Sequence, residues 1–242
     1  MALLYLDLLG VRAQWHAGGR VAAEAAFVQF RSALQKALQQ EAGVVVLHGG
    51  VESDSAAVVF ANTEQAIRVG RRLYRNVFLT PGKAKDQRLW VRGAIMPAPA
   101  VARLRTSAPL PAPYQALEAF SYEPELLEAI AVEKSGIKGM RLIISDALLT
   151  SKLRSQFAIQ IGKENLIPFK QLANSSYPGR VRTGFSDILW MMDGQTWQDT
   201  QVQMGKRLRW AANNPEEFIQ AAATQVVFHE CEAIAVSLRR RP

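Results

Sequence analysis

The sequence Leu3-Leu4-Tyr5-Leu6-Asp7-Leu8-Leu9-Gly10 decides the fold of this chain, because it is a short apolar strand that carries one carboxylate. An ionised carboxylate at the end of a buried strand is costly unless a charged partner compensates it. Hard divalent cations prefer carboxylate oxygens and are the usual partner in such a place. The leading hypothesis is therefore a divalent-metal site at Asp7.

A second aspartate, Asp54, stands directly before the apolar run of residues 56–60. Between the two aspartates, apolar residues recur at helical spacing after Gly18-Gly19 and predict an amphipathic helix that ends near Gly43. The apolar run of residues 44–47 and the run after Asp54 are joined by a polar turn that contains glycine, so we expect a β-hairpin. This order allows the first strand to pair with the hairpin, which would bring Asp54 beside the end of that strand.

The rest of the pattern completes a ferredoxin-like core. Residues 66–77 predict a second helix, residues 89–95 a strand, residues 126–133 a third helix and residues 140–145 another strand. The order β-α-β-β-α-β, followed by α-β, indicates an α+β fold with a ferredoxin-like βαββαβ core and C-terminal helical additions.

The C-terminal part is expected to pack on this core, so that residues 1–150 form the core and residues 151–242 the additions of a single domain. Two helices are predicted there, one over residues 196–212 and one that begins at Asn214-Pro215, where a good cap precedes a residue suited to the first helical position. Five prolines within residues 97–113 exclude a continuous helix in that stretch.

Composition limits the class of protein. The chain has 242 residues, and its single cysteine, Cys231, permits no intrachain disulfide. No stretch approaches the roughly 20 apolar residues of a membrane-spanning helix. Asp7 interrupts the apolar N-terminus, so we expect no signal peptide. A soluble, cytoplasmic protein with no membrane partner is therefore expected.

The formal net charge of +8 suits a polyanionic ligand, either a nucleoside triphosphate or a nucleic acid. Arginine clusters such as Arg71-Arg72 and Arg239-Arg240-Arg241 also fit solvated helix faces and a terminal tail. Because the sequence contains no nucleic-acid recognition module, we expect a nucleoside triphosphate as the partner and no nucleic acid.

These motifs together resemble the class III nucleotidyl cyclases. The stretch from Tyr5 to Gly10 resembles the first metal motif of that family, and Ser53-Asp54-Ser55 with its strand resembles the second. Arg92-Gly93-Ala94-Ile95 resembles the arginine-glycine strand of a branch found in bacterial defence, and residues 127–145 resemble the helix and strand that follow. The resemblance covers roughly residues 3–149 and is closest to the pyrimidine cyclases of the Pycsar antiphage system.

The resemblance implies two divalent ions, Mn²⁺ or Mg²⁺, bound by Asp7, Asp54 and the backbone carbonyl of Leu8. It implies that a nucleoside triphosphate is cyclised with release of pyrophosphate, a reaction that depends on positioning and charge neutralisation. The turn Gly10-Val11-Arg12 would present backbone N–H groups to the phosphates if a helix opens after it.

One departure from the family pattern affects the expected chemistry. Purine cyclases carry an asparagine and an arginine, four residues apart, on the helix after the fourth strand, where they steady the ribose and the transition-state phosphate. Leu127 and Ala131 stand at those positions here. The transition-state cation must then come from elsewhere, and Arg92 is the first candidate, with Arg103 and Arg105 behind it.

Purine cyclases of the family recognise the base with polar side chains at two positions. The resemblance places His48 and Phe120 at rough equivalents of these positions, and the second of them is apolar. A pyrimidine would stack on such an aromatic ring while Arg92 or the hairpin turn donates hydrogen bonds to a uracil carbonyl. We therefore expect UTP as substrate and cyclic UMP as a second messenger in phage defence, detected by a separate effector protein. A cytidylate cyclase is the alternative.

Other interpretations remain open at the level of the residues. Asp54 also fits a hairpin-turn residue and Arg92 an ion-paired strand residue. A catalytically silent, cyclase-shaped nucleotide-binding domain would explain Leu127 and Ala131, and a palm-type oligonucleotide synthase would explain the positive charge.

The predicted helices carry long apolar stripes, such as Phe218, Ala222 and Val226 on the last helix. Together these stripes offer more apolar surface than one small sheet needs in order to cover its face. Because related cyclases form their sites between two ferredoxin-like cores, we predict a symmetric homodimer with two equivalent sites at the interface.

Overall fold

The computed structural model describes residues 1–52, 54–79, 89–98, 124–133, 138–157, 159–161, 164–166, 169–171, 184–191 and 197–239. Most of the proline-rich stretch, including Arg103 and Arg105, lies outside the described residues, as does Phe120. The expectations for these residues stay predictions.

Nine strands and six α-helices are described. The strands are β1 (Ala2–Leu9), β2 (Val46–Glu52), β3 (Ser55–Phe60), β4 (Trp90–Pro97), β5 (Leu142–Ser145), β6 (Ile159–Ile161), β7 (Glu164–Leu166), β8 (Phe169–Gln171) and β9 (Phe185–Ile188). The helices are α1 (Val11–Gln40), α2 (Thr63–Leu79), α3 (Pro124–Glu133), α4 (Ser151–Gln156), α5 (Trp197–Ala211) and α6 (Pro215–Arg239).

Seven of the strands form one sheet in the order β2-β3-β1-β4-β5-β9-β8. The β4–β5 pair is parallel and the other pairs are antiparallel. The segment β2-β3-β1-β4 has the strand order of a ferredoxin-like βαββαβ unit, which confirms the predicted α+β core. Strands β6 and β7 form a separate two-stranded sheet.

The two faces of the sheet bury different residues of β1, because successive side chains on a strand point to opposite faces. Leu4, Leu6 and Leu8 belong to the core that includes α1, α2, α5 and α6. Leu3 and Tyr5 belong to a second core, to which α3 contributes the buried residues Leu126 and Ala129. We call this second side the α3 face.

Helix α1 begins earlier than the sequence predicted. It starts at Val11, directly after β1, because Gly10 adopts a left-handed conformation with φ of 79° that turns the chain from strand into helix. The expected start at Gly18-Gly19 is instead an interruption, where Gly19 has non-helical φ and ψ of 65° and −158°. The prediction of the start was wrong because helical periodicity is weak in the segment before this interruption.

The hairpin turn is also shorter than predicted. Strand β2 continues through Gly49 and Gly50, which we had assigned to the turn, and it pairs with β3 as far as Glu52 opposite Ser55. A β-carbon at Gly49 would lie 3.3 Å from the backbone oxygen of Ala57, so this glycine allows close strand pairing. Asp54 is the residue of the turn that the structure describes.

The C-terminal helices agree closely with the sequence. The side-chain oxygen of Asn214 accepts hydrogen bonds from the backbone N–H groups of Glu216 and Glu217, at 3.1 and 3.2 Å, which confirms the predicted cap of α6. Among the helices of the described residues, none combines the length and the apolar character needed to cross a membrane.

Candidate functional site

Asp7 lies near the end of β1, between two polar neighbours. It is opposite Ser55 on β3 and opposite Arg92 on β4. Because Leu3 and Tyr5 belong to the α3 face, the period of two places Asp7 on the same face. The aspartate is partly exposed, so its carboxylate lies at the margin of the core rather than within it.

Asp54 is held beside the end of β1 through its backbone. The N–H of Leu8 donates to the carbonyl oxygen of Asp54 at 2.7 Å. In a hydrogen-bonded antiparallel pair, the N–H and C=O groups of a residue both point toward its partner, so the Leu8 carbonyl also points toward Asp54. The expected proximity of the hairpin turn to the first strand is therefore confirmed.

The donor set fits a magnesium-type site better than a zinc-type site. Asp7, Asp54 and the Leu8 carbonyl offer hard oxygen ligands, and Mg²⁺ commonly uses one or two carboxylates and completes its shell with water and substrate phosphates. Across the described residues, no group of three or more His, Cys, Asp or Glu side chains could hold a metal alone.

The turn after β1 leads directly into a helix. Gly10 precedes the first residue of α1, and its carbonyl accepts the N–H of Gln14 at 3.0 Å. The N–H groups of Val11 and Arg12 belong to the first turn of α1, where backbone N–H groups lack helical partners. The helix opening that phosphate binding by this turn requires is therefore present, while the phosphate binding itself stays a prediction.

Arg92 and Gly93 lie on β4 where its backbone passes close to β1. Arg92 is buried, with 7% of its surface exposed. A β-carbon at Gly93 would lie 2.5 Å from the backbone oxygen of Tyr5 and 2.9 Å from Leu6. Glycine therefore lets the two strands pair here without a steric clash, which gives the arginine-glycine sequence a physical reason.

An ion pair beside Arg92 was missed by the sequence analysis. Arg141, directly before β5, contacts the Oδ2 atom of Asp187 on β9 through Nε at 2.7 Å and Nη2 at 2.6 Å. The Asp187 side chain is 1% exposed. A carboxylate within an apolar strand was the signal that singled out Asp7, and the same signal in residues 185–190 would have found Asp187.

A polar row crosses four adjacent strands on the α3 face. It consists of Ser55 on β3, Asp7 on β1, Arg92 on β4 and Arg141 directly before β5. Gly93 pairs with Leu142 in the parallel register, so Arg92 and Arg141 stand opposite each other one residue earlier.

His48 is not part of this row. It faces Val59, which faces Leu3, and Leu3 is four residues from Asp7. That separation is roughly 13 Å along the strand, beyond the reach of a metal or phosphate contact at Asp7. His48 is therefore available only for a distant part of a bound ligand.

Leu127 and Ala131 project outward from α3. Both are exposed, Leu127 to 56%, while Leu126 and Ala129 face the sheet. The two positions that the sequence resemblance assigns to the asparagine and arginine of purine cyclases thus carry apolar side chains on an outer surface.

No protein-family model matches the sequence, and no curated protein matches it. Among solved structures, a monomeric double mutant of the guanylyl cyclase domain of the RhoGC fusion protein, from the aquatic fungus Blastocladiella emersonii, matches with a TM-score of 0.50 and 11% identity. This match covers 78% of the present chain and 93% of that chain. The guanylyl cyclase Cya2 matches with a TM-score of 0.45 and 13% identity, over 77% and 90% of the two chains. The first of these likenesses shows that the chain has the fold of a guanylyl cyclase domain.

Proposed function

We propose that this protein is a nucleotidyl cyclase. The observation that carries the proposal is the neighbourhood of Asp7, which has Arg92 as its cross-strand neighbour and the hairpin turn of Asp54 hydrogen-bonded to the next residue, Leu8. Two acidic side chains and a buried cation at the end of a ferredoxin-like sheet suit a triphosphate with its divalent ions.

The reaction is an attack of the ribose 3′-oxygen on the α-phosphorus of the same nucleotide. The new P–O bond closes a 3′,5′-cyclic ring, and the bond to pyrophosphate breaks. Asp7, Asp54 and the Leu8 carbonyl would hold two divalent ions, Mg²⁺ or Mn²⁺, whose chemistry is to lower the pKa of the 3′-hydroxyl and to neutralise the triphosphate.

Arg92 has the role of stabilising negative charge at the α-phosphoryl group. Its guanidinium is a permanent cation with several donors, and a buried cation interacts strongly with a developing charge. The first turn of α1, at Val11 and Arg12, would bind the phosphates through backbone N–H groups. No side-chain nucleophile is needed, because the nucleophile belongs to the substrate.

We further propose a pyrimidine substrate, with UTP preferred to CTP and cyclic UMP as a messenger in phage defence that a separate effector protein detects. The support is the sequence resemblance, together with the apolar surface of Leu127 and Ala131 where purine cyclases carry polar residues. His48 and Phe120 remain the proposed contacts to the base.

A catalytically silent, nucleotide-binding domain is the second candidate, favoured by the same two apolar residues. The test is incubation with each of the four ribonucleoside triphosphates and Mn²⁺, with separation of products by mass. We expect cyclic UMP and pyrophosphate. Binding without any product would support the silent domain, and an oligonucleotide product would identify a polymerising enzyme instead. Equal rates with ATP or GTP would overturn the pyrimidine assignment alone.

A further inference from the structure

Two arginines stand side by side in the polar row. Arg92 and Arg141 lie opposite each other on the parallel strands β4 and β5, about 4.8 Å apart at the backbone. Both are on the α3 face, because Ala94 and Ile143, two residues further along each strand, belong to the core on that face. Like charges at facing positions destabilise a sheet. Each arginine has one carboxylate neighbour, Asp7 opposite Arg92 and Asp187 beside Arg141, and a bound polyphosphate would add negative charge near both.

Arg141 is oriented by a buried carboxylate, Asp187, that accepts only some of the hydrogen bonds that its guanidinium can donate. Both of its contacts go to a single oxygen of Asp187, through Nε and Nη2. They use two of the five N–H donors of a guanidinium. The Arg141 side chain keeps 18% of its surface exposed, whereas Asp187 is 1% exposed. The anchored side of the guanidinium is therefore buried, and the remaining donors belong to the more exposed side.

The backbone that carries Arg141 is fixed from three directions. Thr224 of α6 accepts the N–H of Met140 at 2.9 Å, and Trp190 Nε1 donates to the Met140 carbonyl at 3.0 Å. The hydroxyl of Tyr74 on α2 donates to the Arg141 carbonyl at 2.7 Å. A cation on such a rigid segment loses little conformational entropy when it binds a ligand.

We propose that Arg141 is a second phosphate-binding cation, which contacts the polyphosphate of the bound nucleotide together with Arg92. The identity of the ligand as a nucleoside triphosphate rests on the proposed function, but the binding of polyphosphate does not require turnover. The competing explanation is that Arg141 only neutralises Asp187, so the test must separate these two roles.

The test measures affinity for inorganic tripolyphosphate by titration calorimetry. Removing Arg141 alone would leave a buried charge at Asp187, so the main variant is Arg141→Gln combined with Asp187→Asn, which replaces the ion pair by two amides. We expect this double variant to fold and to bind tripolyphosphate at least tenfold more weakly than the wild type. Arg141→Lys keeps the charge without the planar fork and should fall between the two.

The matched control is Arg154→Gln, because Arg154 also stands near an aspartate, at 4.0 Å from Asp146, but beyond the opposite end of β5. It should bind tripolyphosphate like the wild type. Affinity of the double variant within twofold of wild type would overturn the proposal, and so would wild-type protein that does not bind tripolyphosphate. If the double variant does not fold, Arg141→Met combined with Asp187→Leu replaces the ion pair by apolar side chains. Affinity of that variant within twofold of wild type overturns the proposal, and a tenfold loss supports it.

Failure of this proposal can be distinguished from failure of the proposed function. Tripolyphosphate binding that depends on Arg141, in a protein that forms no cyclic nucleotide, would keep the phosphate site and reject the cyclase. Cyclic nucleotide formation at wild-type rate and affinity in the double variant would keep the cyclase and reject Arg141 as a phosphate-binding residue.

Discussion

At the scale of the residue, Gly93 allows the close pairing of β1 and β4, the two strands that hold Asp7 and Arg92. A β-carbon there would lie 2.5 Å from a backbone oxygen, which cannot move as a flexible side chain can. We predict that Gly93→Ala lowers the free energy of unfolding by about 1–3 kcal/mol, as overpacking in a core does. Urea denaturation measures the change.

The control for this variant is Gly205→Ala on α5. Apart from the backbone of α5 itself, the nearest heavy atom of the described residues to a β-carbon at Gly205 is the end of the Arg209 side chain, at 3.8 Å. In a helix interior, alanine is favoured over glycine by about 0.5–1 kcal/mol, so this variant should be more stable than wild type. Two variants with equal stability would contradict the close approach of β1 and β4.

The acidic residues give a second prediction at this scale. Asp7→Asn and Asp54→Asn nearly preserve shape but remove a charged ligand, so pyrophosphate release should fall below a tenth of wild type while circular dichroism stays unchanged. A tenfold loss corresponds to about 1.4 kcal/mol in the activation free energy. Asp199→Asn, on the exposed first turn of α5, should keep full activity. Retention of activity in either site variant would reject the two-metal assignment.

At the scale of the element, a buried cation, Arg207, helps to attach α5 to the end of α2 and the start of β4, beside the core residues Met204 and Ala211. The guanidinium of Arg207 lies 4.6 Å from the ring centre of Phe78 and 4.8 Å from that of Trp90. It donates to the carbonyl oxygens of Val77 at 2.7 Å and Leu89 at 2.8 Å. Since α2 has no basic residue in its last turn, Arg207 supplies the positive charge that stabilises this helix end.

Replacement of this cation tests its contribution. We predict that Arg207→Met lowers the free energy of unfolding by about 2–4 kcal/mol, because charged hydrogen bonds and cation–π contacts are lost together. Arg209→Ala, an exposed position of the same helix, should change it by less than about 0.5 kcal/mol. Thermal and urea denaturation of both variants provide the measurement, and similar losses in the two would contradict the attachment.

The elements that the sequence predicted well are those whose pattern lies within a short stretch of the chain. Helix α2 has a strong apolar period, and α6 has its cap residue, Asn214, directly before its first residue. The pair Arg141–Asp187 was missed because its partners are 46 positions apart and meet only through the pairing of β5 with β9. The start of α1 was misjudged because a single left-handed glycine, Gly10, ended the strand and opened the helix without a capping side chain.

At the scale of the whole molecule, two exposed apolar surfaces lie on opposite sides of the sheet. Phe218 and Val226 of α6 are 46% and 58% exposed, and α6 packs into the core away from the polar row. Leu127 is exposed on α3, on the same side as Asp7 and Arg92. A dimer formed through α6 would therefore leave the site outside the interface.

We propose that the homodimer forms through the α3 face, so that a second copy of the chain covers the site. Leu127→Glu should then produce a monomer by light scattering and abolish cyclic nucleotide formation, because a charge in an apolar interface stays unpaired. Phe218→Glu should stay dimeric and active, since its side chain lies on the other side of the sheet. A monomeric Phe218→Glu variant would move the interface to α6. A wild-type monomer that is fully active at nanomolar concentration would show that one chain forms a complete site, which would leave Leu127 without a role in assembly.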